Sequence, residues 1–135
     1  MRITSAEKLS WVNVECKQDP SGYPIFEIEV HADIRHGQFH AKNLEVQFMN
    51  FEEFVAELDG FILDRSSAPR LEGTYNTFIA FLVKGTTVMC QYRIGGAFSG
   101  RKTAYFHHFG EFQIDQECLL QLLGGFRALM QARHG

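Results

Sequence analysis

Cysteine is scarce in this sequence and odd in number. The three residues, Cys16, Cys90 and Cys118, cannot all pair, and no two of them have zinc-ligand or redox-motif spacing. Cys90 and Cys118 fall among apolar residues, where a free thiol behaves as a small hydrophobe, so Cys16 is the candidate for an exposed thiol. No apolar run approaches the ~20 residues of a membrane span, and Met1-Arg2-Ile3-Thr4-Ser5 lacks the apolar core of a signal peptide. These absences lead to the expectation of a reducing, cytoplasmic setting and no membrane partner. Clustered positive charge is missing too. The basic residues are scattered and the formal net charge is -3, against the Lys/Arg patches that phosphate neutralisation needs, so no nucleic-acid partner is expected. Repeats, low-complexity tracts and linkers are also absent, and a single domain over residues 1–135 follows.

What the chain has in quantity is phenylalanine: thirteen, against four tyrosines and one tryptophan. Phe carries no polar handle, so most of these rings belong in a core. A chain of this length buries about two-thirds of its unfolded surface and needs no metal or disulfide staple. The hydrophobic share of 45% and charged share of 21% are those of an ordinary globular protein.

The pattern along the chain predicts an α+β fold. Trp11 to Cys16 reads as a strand, followed by the turn cluster Gln18-Asp19-Pro20-Ser21-Gly22. Phe26, Ile28, Val30, Ala32 and Ile34 then alternate with Glu27, Glu29, His31, Asp33 and Arg35, the period of a half-buried strand. His36-Gly37 turns the chain into a returning strand that ends at Phe48, and its apolar parity switches near Lys42-Asn43, the mark of a bulge or bend. Asn50 is a favoured helix N-cap, with Glu53 at the capping-box position. Phe51, Phe54, Val55, Leu58 and Ile62 form the buried stripe of a helix over about 50–65. Strand structure resumes at Leu71 and runs through Val83; Lys84-Gly85-Thr86 turns it into Val88 to Ile94. Gly95, Gly96 and Gly100 suggest a flexible connection to a last strand, Tyr105 to Ile114. Asp115 caps a final helix over about 115–132, with Leu119, Leu122, Leu123, Phe126, Leu129 and Met130 inward and Arg127 and Arg133 near its negative end. Gly124-Gly125 marks either a kink or a close approach to the sheet. The expected architecture is about six antiparallel strands in one curled sheet, with both helices on one face.

Chemistry-bearing residues are few, and no catalytic residue is assigned. His107-His108 with Glu111 can supply metal ligands or a base, but adjacent strand residues point to opposite faces. His31 and His40 can face each other across the hairpin that His36 turns, yet an open zinc site takes three protein ligands. Gly95-Gly96-Ala97-Phe98-Ser99-Gly100 lacks the ending of a P-loop and the helix that should follow it, and Ser99 is not in a nucleophile elbow. The surface with most character is the acidic helix face, Glu52, Glu53, Glu57, Asp59 and Asp64. It suits either a solvated face that complements the helix dipole or a docking surface for a basic protein. Glu27, Glu29 and Asp33 can extend that field.

The run Tyr105-Phe-His-His-Phe-Gly-Glu-Phe-Gln-Ile-Asp-Gln-Glu-Cys-Leu-Leu-Gln-Leu-Leu123 resembles the final strand and Asp-Gln-x-x-Leu helix start of WapI-type bacterial immunity proteins. Phe51-Glu52-Glu53-Phe54-Val55-Ala56-Glu57-Leu58, Leu71-Glu72-Gly73 and Ile94-Gly95-Gly96 are also similar, so the resemblance spans roughly residues 24 to 131. Its motifs are structural: Asp115 is a cap and Leu119 is core. The resemblance implies a small α+β protein that neutralises a polymorphic toxin by stoichiometric binding; no cofactor is expected, and the acidic helix face makes a basic toxin domain the expected partner. Two other readings stay open. One is a metal- or small-ligand-binding protein or enzyme using His31, His40, His107 and His108; the other is a structural homodimer formed through a sheet edge or a Phe-rich patch.

Overall fold

The computed structural model describes residues 1–97 and 105–134. It has an α+β architecture, with ten regular elements among the described residues. These are β1 (Arg2–Thr4), β2 (Trp11–Gln18), β3 (Pro24–Ile34), β4 (Gly37–Val46), α1 (Phe51–Asp64), β5 (Arg70–Glu72), β6 (Phe78–Lys84), β7 (Thr87–Ala97), β8 (Tyr105–Gln113) and α2 (Gln116–His134). The strands form two antiparallel four-stranded meanders, β1-β2-β3-β4 and β5-β6-β7-β8.

One curled sheet of about six strands was the expectation, and two features of the chain overturn it. β1 is only three residues long, too short to show a period, and pairs with β2 through Ile3↔Val12. The stretch from Leu71 to Val83 is not one strand. A 3-10 turn at Thr74–Asn76 divides it, and Tyr75 and Asn76 both take positive φ there, which no continuous strand accommodates. The β4 bulge is present: Ile28 pairs with Asn43 but Phe26 with Val46, so β4 carries one extra residue between those positions. Gly95 and Gly96 lie within β7 rather than in a loop. A Cβ on Gly95 would meet the Tyr75 carbonyl, so a side chain there would push the 3-10 turn away. Gly100 and Ser99 lie outside the described residues.

Alternation along each strand sends one face inward. Val12 and Val14, Phe26, Ile28 and Val30, and Ala41 and Val46 face the core from the first sheet; Leu71, Ile79, Phe81, Cys90, Tyr92 and Ile94 do so from the second. Both helices fill the space these faces enclose. Phe51, Phe54, Val55, Leu58 and Phe61 come from α1, and Leu119, Leu122, Phe126 and Leu129 from α2. Phenylalanine rings join the layers: Phe26 packs on Phe48 at 4.8 Å and on Phe51 at 5.6 Å. Phe126 of α2 then meets Phe54 edge-on at 4.8 Å and Phe81 at 6.1 Å. Such tilted pairs contribute roughly 1 kcal/mol each beyond their buried area.

The two sheets are stitched together beside α1. Phe48 bridges Gly73, the Thr74 N–H donates to the Gln47 carbonyl at 3.0 Å, and the Asn43 side-chain amide donates to the Gly95 carbonyl. Asn50 stands at the N-cap of α1 but makes no capping hydrogen bond. Its side chain instead reads the backbone of β5, donating to the Arg70 carbonyl and accepting from the Glu72 N–H, both at 2.8 Å. The far end of α1 is closed by Arg65 in the left-handed conformation, φ 63°. Its guanidinium donates to the Phe61 and Ile62 carbonyls at 2.9 and 2.7 Å, satisfying acceptors that every helix end leaves open.

α2 begins as its sequence implies. The Asp115 carboxylate accepts the Cys118 N–H at 2.8 Å and a 3.0 Å ion pair from Lys8. Of the Gly124-Gly125 pair, Gly124 faces open space, whereas a Cβ on Gly125 would meet the Met1 side chain at 2.9 Å. The helix continues unbroken to His134, so close approach to the N-terminal residues is what Gly125 serves. No helix among the described residues is long and apolar enough to cross a membrane.

Candidate functional site

α1 lies against α2 and β5 with one side exposed. At 100° per residue, that side resolves into three parallel rows. Ala56, Gly60 and Leu63 run down the middle, Glu52 and Asp59 flank one side, and Glu53, Glu57 and Asp64 flank the other. Leu63 is 84% exposed, the most exposed of the large apolar side chains among the described residues. A leucine so placed, between two rows of carboxylates, gives the face an apolar centre and a charged rim.

The five acids do not form one field. Glu52 is engaged by the Arg133 guanidinium of α2, and Asp59 lies 3.8 Å from Arg127. Arg127 and Arg133 therefore neutralise one row of α1, and Arg133 also sits favourably in the last turn of α2. Asp64 turns back to accept the Ser66 N–H at 2.9 Å, and its bonds to Ser66 hold its carboxyl below the usual range. Among the described residues, Glu53 and Glu57 have no cationic partner. They stand one turn apart on the same row, so their charge is directed at solvent.

Glu27, Glu29 and Asp33 do not extend this row. They lie on the face of the first sheet turned away from the helices, because their neighbours Phe26, Ile28 and Val30 point into the core. There Glu27 pairs with Lys17 at 3.0 Å and Glu29 with Lys42 at 3.5 Å. The same outer face holds an aromatic row of which the sequence disclosed only that His31 faces His40. Trp11, His31 and His40 are in register across β2, β3 and β4, Trp11 stacks on His31 at 5.8 Å, and the Arg2 guanidinium lies 4.0 Å from the Trp11 ring centre. That Trp11 joins the pair only the register reveals, since Trp11 is far from both histidines in the chain.

The histidines fall into separate places. His31 and His40 are direct cross-strand partners, with Glu29 3.6 Å from His40. His107 and His108 occupy opposite faces of β8. His107 is exposed, while His108 faces inward against Tyr92 at 5.5 Å and Phe39 at 6.0 Å. Burial lowers the His108 pKa and pushes Tyr92 up to about 12, so both favour their neutral forms. Glu111 is occupied by Lys84 at 2.6 Å and Gln91 at 2.9 Å, which hold its carboxyl below the ordinary range. Among the described residues, no three His, Cys, Asp or Glu side chains converge to hold a metal ion.

Cys16 is less available than its sequence context suggested. It is half-buried in a mainly apolar groove of about 500 Å³ between β2 and α2, beside Val14, Gly125, Ala128 and Ala132. Burial raises its thiol pKa, against a smaller opposite pull from Arg133, and a thiol kept protonated is a poor nucleophile. A more polar cavity of about 440 Å³ opens where Arg65, the Gly85–Thr87 turn and the start of α2 meet. Its one guanidinium already serves the α1 carbonyls, and the Asp115 carboxylate on its wall is paired with Lys8.

Among the described residues the arrangement supplies surfaces for contact, and no nucleophile, base and oxyanion donors come together. Set against protein-family models, curated proteins and solved structures, the chain has no match in any of the three.

Proposed function

We propose that this chain is a non-catalytic binding protein of the immunity type, which masks a basic toxin domain through the exposed side of α1. The observation that carries the reading is Leu63 together with the Glu53–Glu57 row. A bare leucine offers apolar surface whose removal from water on contact is favourable, and the two carboxylates give a partner's lysines or arginines a target that no cation of this chain among the described residues occupies. Charge of this kind accelerates encounter and selects the partner, while the apolar centre limits dissociation. Glu52 and Asp59, braced by α2, hold the other side of the rim in place. The resemblance to WapI-type immunity proteins in the final strand and helix motivates the same reading, and a cytoplasmic site of action is part of the proposal.

The test is a capture experiment from lysate of the source organism at low and high salt, followed by identification and a binding isotherm with the recovered partner. A basic polypeptide bound in one-to-one ratio, released by salt and weakened about tenfold or more by Glu53→Lys with Glu57→Lys, is the expected result. Binding unaffected by those charge reversals and by Leu63→Ala would remove α1 from the interface.

A further inference from the structure

We infer that β8 is a self-pairing edge, through which two copies of this chain join in antiparallel fashion about Phe109. The inference is independent of the reading of α1, which lies at the other side of the second sheet, against β5.

An unpaired strand edge is a template for another strand, and proteins blunt such edges by shortness, lysine, proline or cover. Three of the four edges here are treated that way. β1 and β5 have three residues each, and the Asn50 side chain additionally occupies the backbone of β5. β4 carries Lys42 and is tied to the second sheet through Asn43 and Gln47. Among the described residues, β8 has none of these devices except the Ala6 contact at its Gln113 end. It is nine residues long, Tyr-Phe-His-His-Phe-Gly-Glu-Phe-Gln, without lysine, arginine or proline. Its one formal charge, Glu111, is already balanced by Lys84. Among the described residues no strand lies beyond it. Its Phe106 and Phe109 are 54% and 59% exposed, as is Phe39 of β4 at 53%, while most other described phenylalanine rings are buried.

The backbone says which groups face outward. The Ile114 N–H points to β7, at the Val88 carbonyl, whereas the Gln113 carbonyl points away and accepts the Ala6 N–H. Strand alternation then places the N–H and C=O groups of His107, Phe109 and Glu111 on the open edge. A two-fold axis perpendicular to the sheet at Phe109 sets Phe109 against Phe109 of the second copy and His107 against its Glu111. On the inner face it sets Phe106 against Phe112 and His108 against Gly110. Every phenylalanine meets a phenylalanine, the only acid meets a histidine, and the imidazole of His108 meets the residue without a side chain. Moving the axis one residue either way loses this: centred on His108, Phe106 opposes Gly110; centred on Gly110, Phe109 opposes Glu111. The Phe109 register also exchanges about six backbone hydrogen bonds, two for each outward-facing pair. The Ala6 contact at Gln113 closes the edge at that end, which confines pairing to Phe106–Phe112. That strand-to-strand contact is small, so association in the micromolar range, above ~10 µM, is expected.

Sedimentation velocity over a concentration series up to ~500 µM tests it, a range chosen for a small interface. The expected result is a reversible monomer–dimer equilibrium. Phe109→Lys, which brings two ammonium groups together on the axis, should abolish it while leaving the circular dichroism spectrum unchanged. Position 107 tests the register and should move association in opposite directions. His107→Glu faces the second copy's Glu111 twice and should weaken dimerisation about tenfold, whereas His107→Lys should strengthen it. If Phe109→Lys does not fold, the exposed His107 variants decide alone. A chain that stays monomeric throughout the series, or one whose self-association ignores Phe109 or responds alike to Glu and Lys at 107, overturns the proposal. A monomer that accepts a strand from a different protein at β8 would overturn it as well.

Discussion

Asn50 offers the sharpest check on how α1 is held. By sequence it is a helix N-cap, and Asn, Asp and Ser are nearly equivalent in that role. In the structure its side chain behaves as a piece of backbone, donating to Arg70 and accepting from Glu72 across 2.8 Å contacts. Asn50→Asp separates the two roles. As a cap, aspartate should match asparagine or exceed it by about 0.3–1 kcal/mol through the helix dipole. As a bridge, aspartate keeps the bond from the Glu72 N–H but loses the donor and sets its charge against the Arg70 carbonyl. One net hydrogen bond is worth about 1 kcal/mol. Repulsion adds to that loss and the dipole returns some of it, so a destabilisation of about 1 kcal/mol remains. Asn50→Ala, which loses both bonds, should cost about 1–2 kcal/mol, at the modest end because both contacts are solvent-exposed. Urea unfolding should place Asn50→Asp about 0.5 M below the parent in midpoint and about 4 °C lower in Tm. Amide exchange at Glu72 should accelerate in Asn50→Ala. Equal stability of Asn50→Asp and the parent, within about 0.3 kcal/mol, would falsify the bridge and restore the cap.

Three further outcomes follow from the same geometry. Arg65→Ala should lose about 1–2 kcal/mol with the guanidinium bonds to Phe61 and Ile62, and Arg65→Gly should recover about 1 kcal/mol of that, because glycine adopts the positive φ freely; urea midpoints of the pair decide it. Asp115 has a folded pKa held below its ordinary 3.8, first by the Cys118 N–H and then by Lys8. A depressed folded pKa gives stability that is present above the unfolded value and is lost as pH falls through the folded one. Unfolding midpoints should therefore drop below about pH 4, and Asp115→Asn should flatten that slope. Thiol titration should find Cys90, fully buried with its pKa pushed up by desolvation, silent until denaturant is added. Cys16 and Cys118, also raised by burial, should react more slowly than free cysteine at pH 8.

What was legible in the sequence was whatever a local period carries. The β3 alternation, the α1 stripe and the α2 stripe with its Asp115 cap all rest on spacing within one element, and spacing survives folding. Two kinds of information were not local. The first is strand division: Gly73 and Asn76 are turn-favouring residues between Leu71 and the apolar run from Phe78, but only the structure shows that Tyr75 and Asn76 take positive φ and end β5 there. The second is pairing. Nothing in the spacing of Arg127 and Arg133 says that they reach across to Asp59 and Glu52, so the acidic face looked larger and less neutral than it is. Nor does the spacing announce that Trp11 stacks on His31, although the hairpin alone set His31 facing His40. Asn50 shows the same limit from the other side, since a residue well suited to capping was drawn into a stronger tertiary role.

The two proposed surfaces are separable, and this makes each a control for the other. In the second sheet β5 and β8 are opposite edges, and α1 packs beside β5, so pairing at β8 leaves the Leu63 face of each copy open. A β8-paired dimer would carry two such faces. Against a partner free in solution the faces act independently, and Phe109→Lys should leave the intrinsic affinity unchanged. Against a partner immobilised at high density, the second contact becomes intramolecular and the dimer should be retained far longer than the monomer, without any new contact at α1. Glu53→Lys with Glu57→Lys, by contrast, should weaken capture in both formats and leave sedimentation as it was. A charge reversal on α1 that shifted the monomer–dimer equilibrium would show that the two faces are not independent, and that the dimer uses the helix rather than the strand.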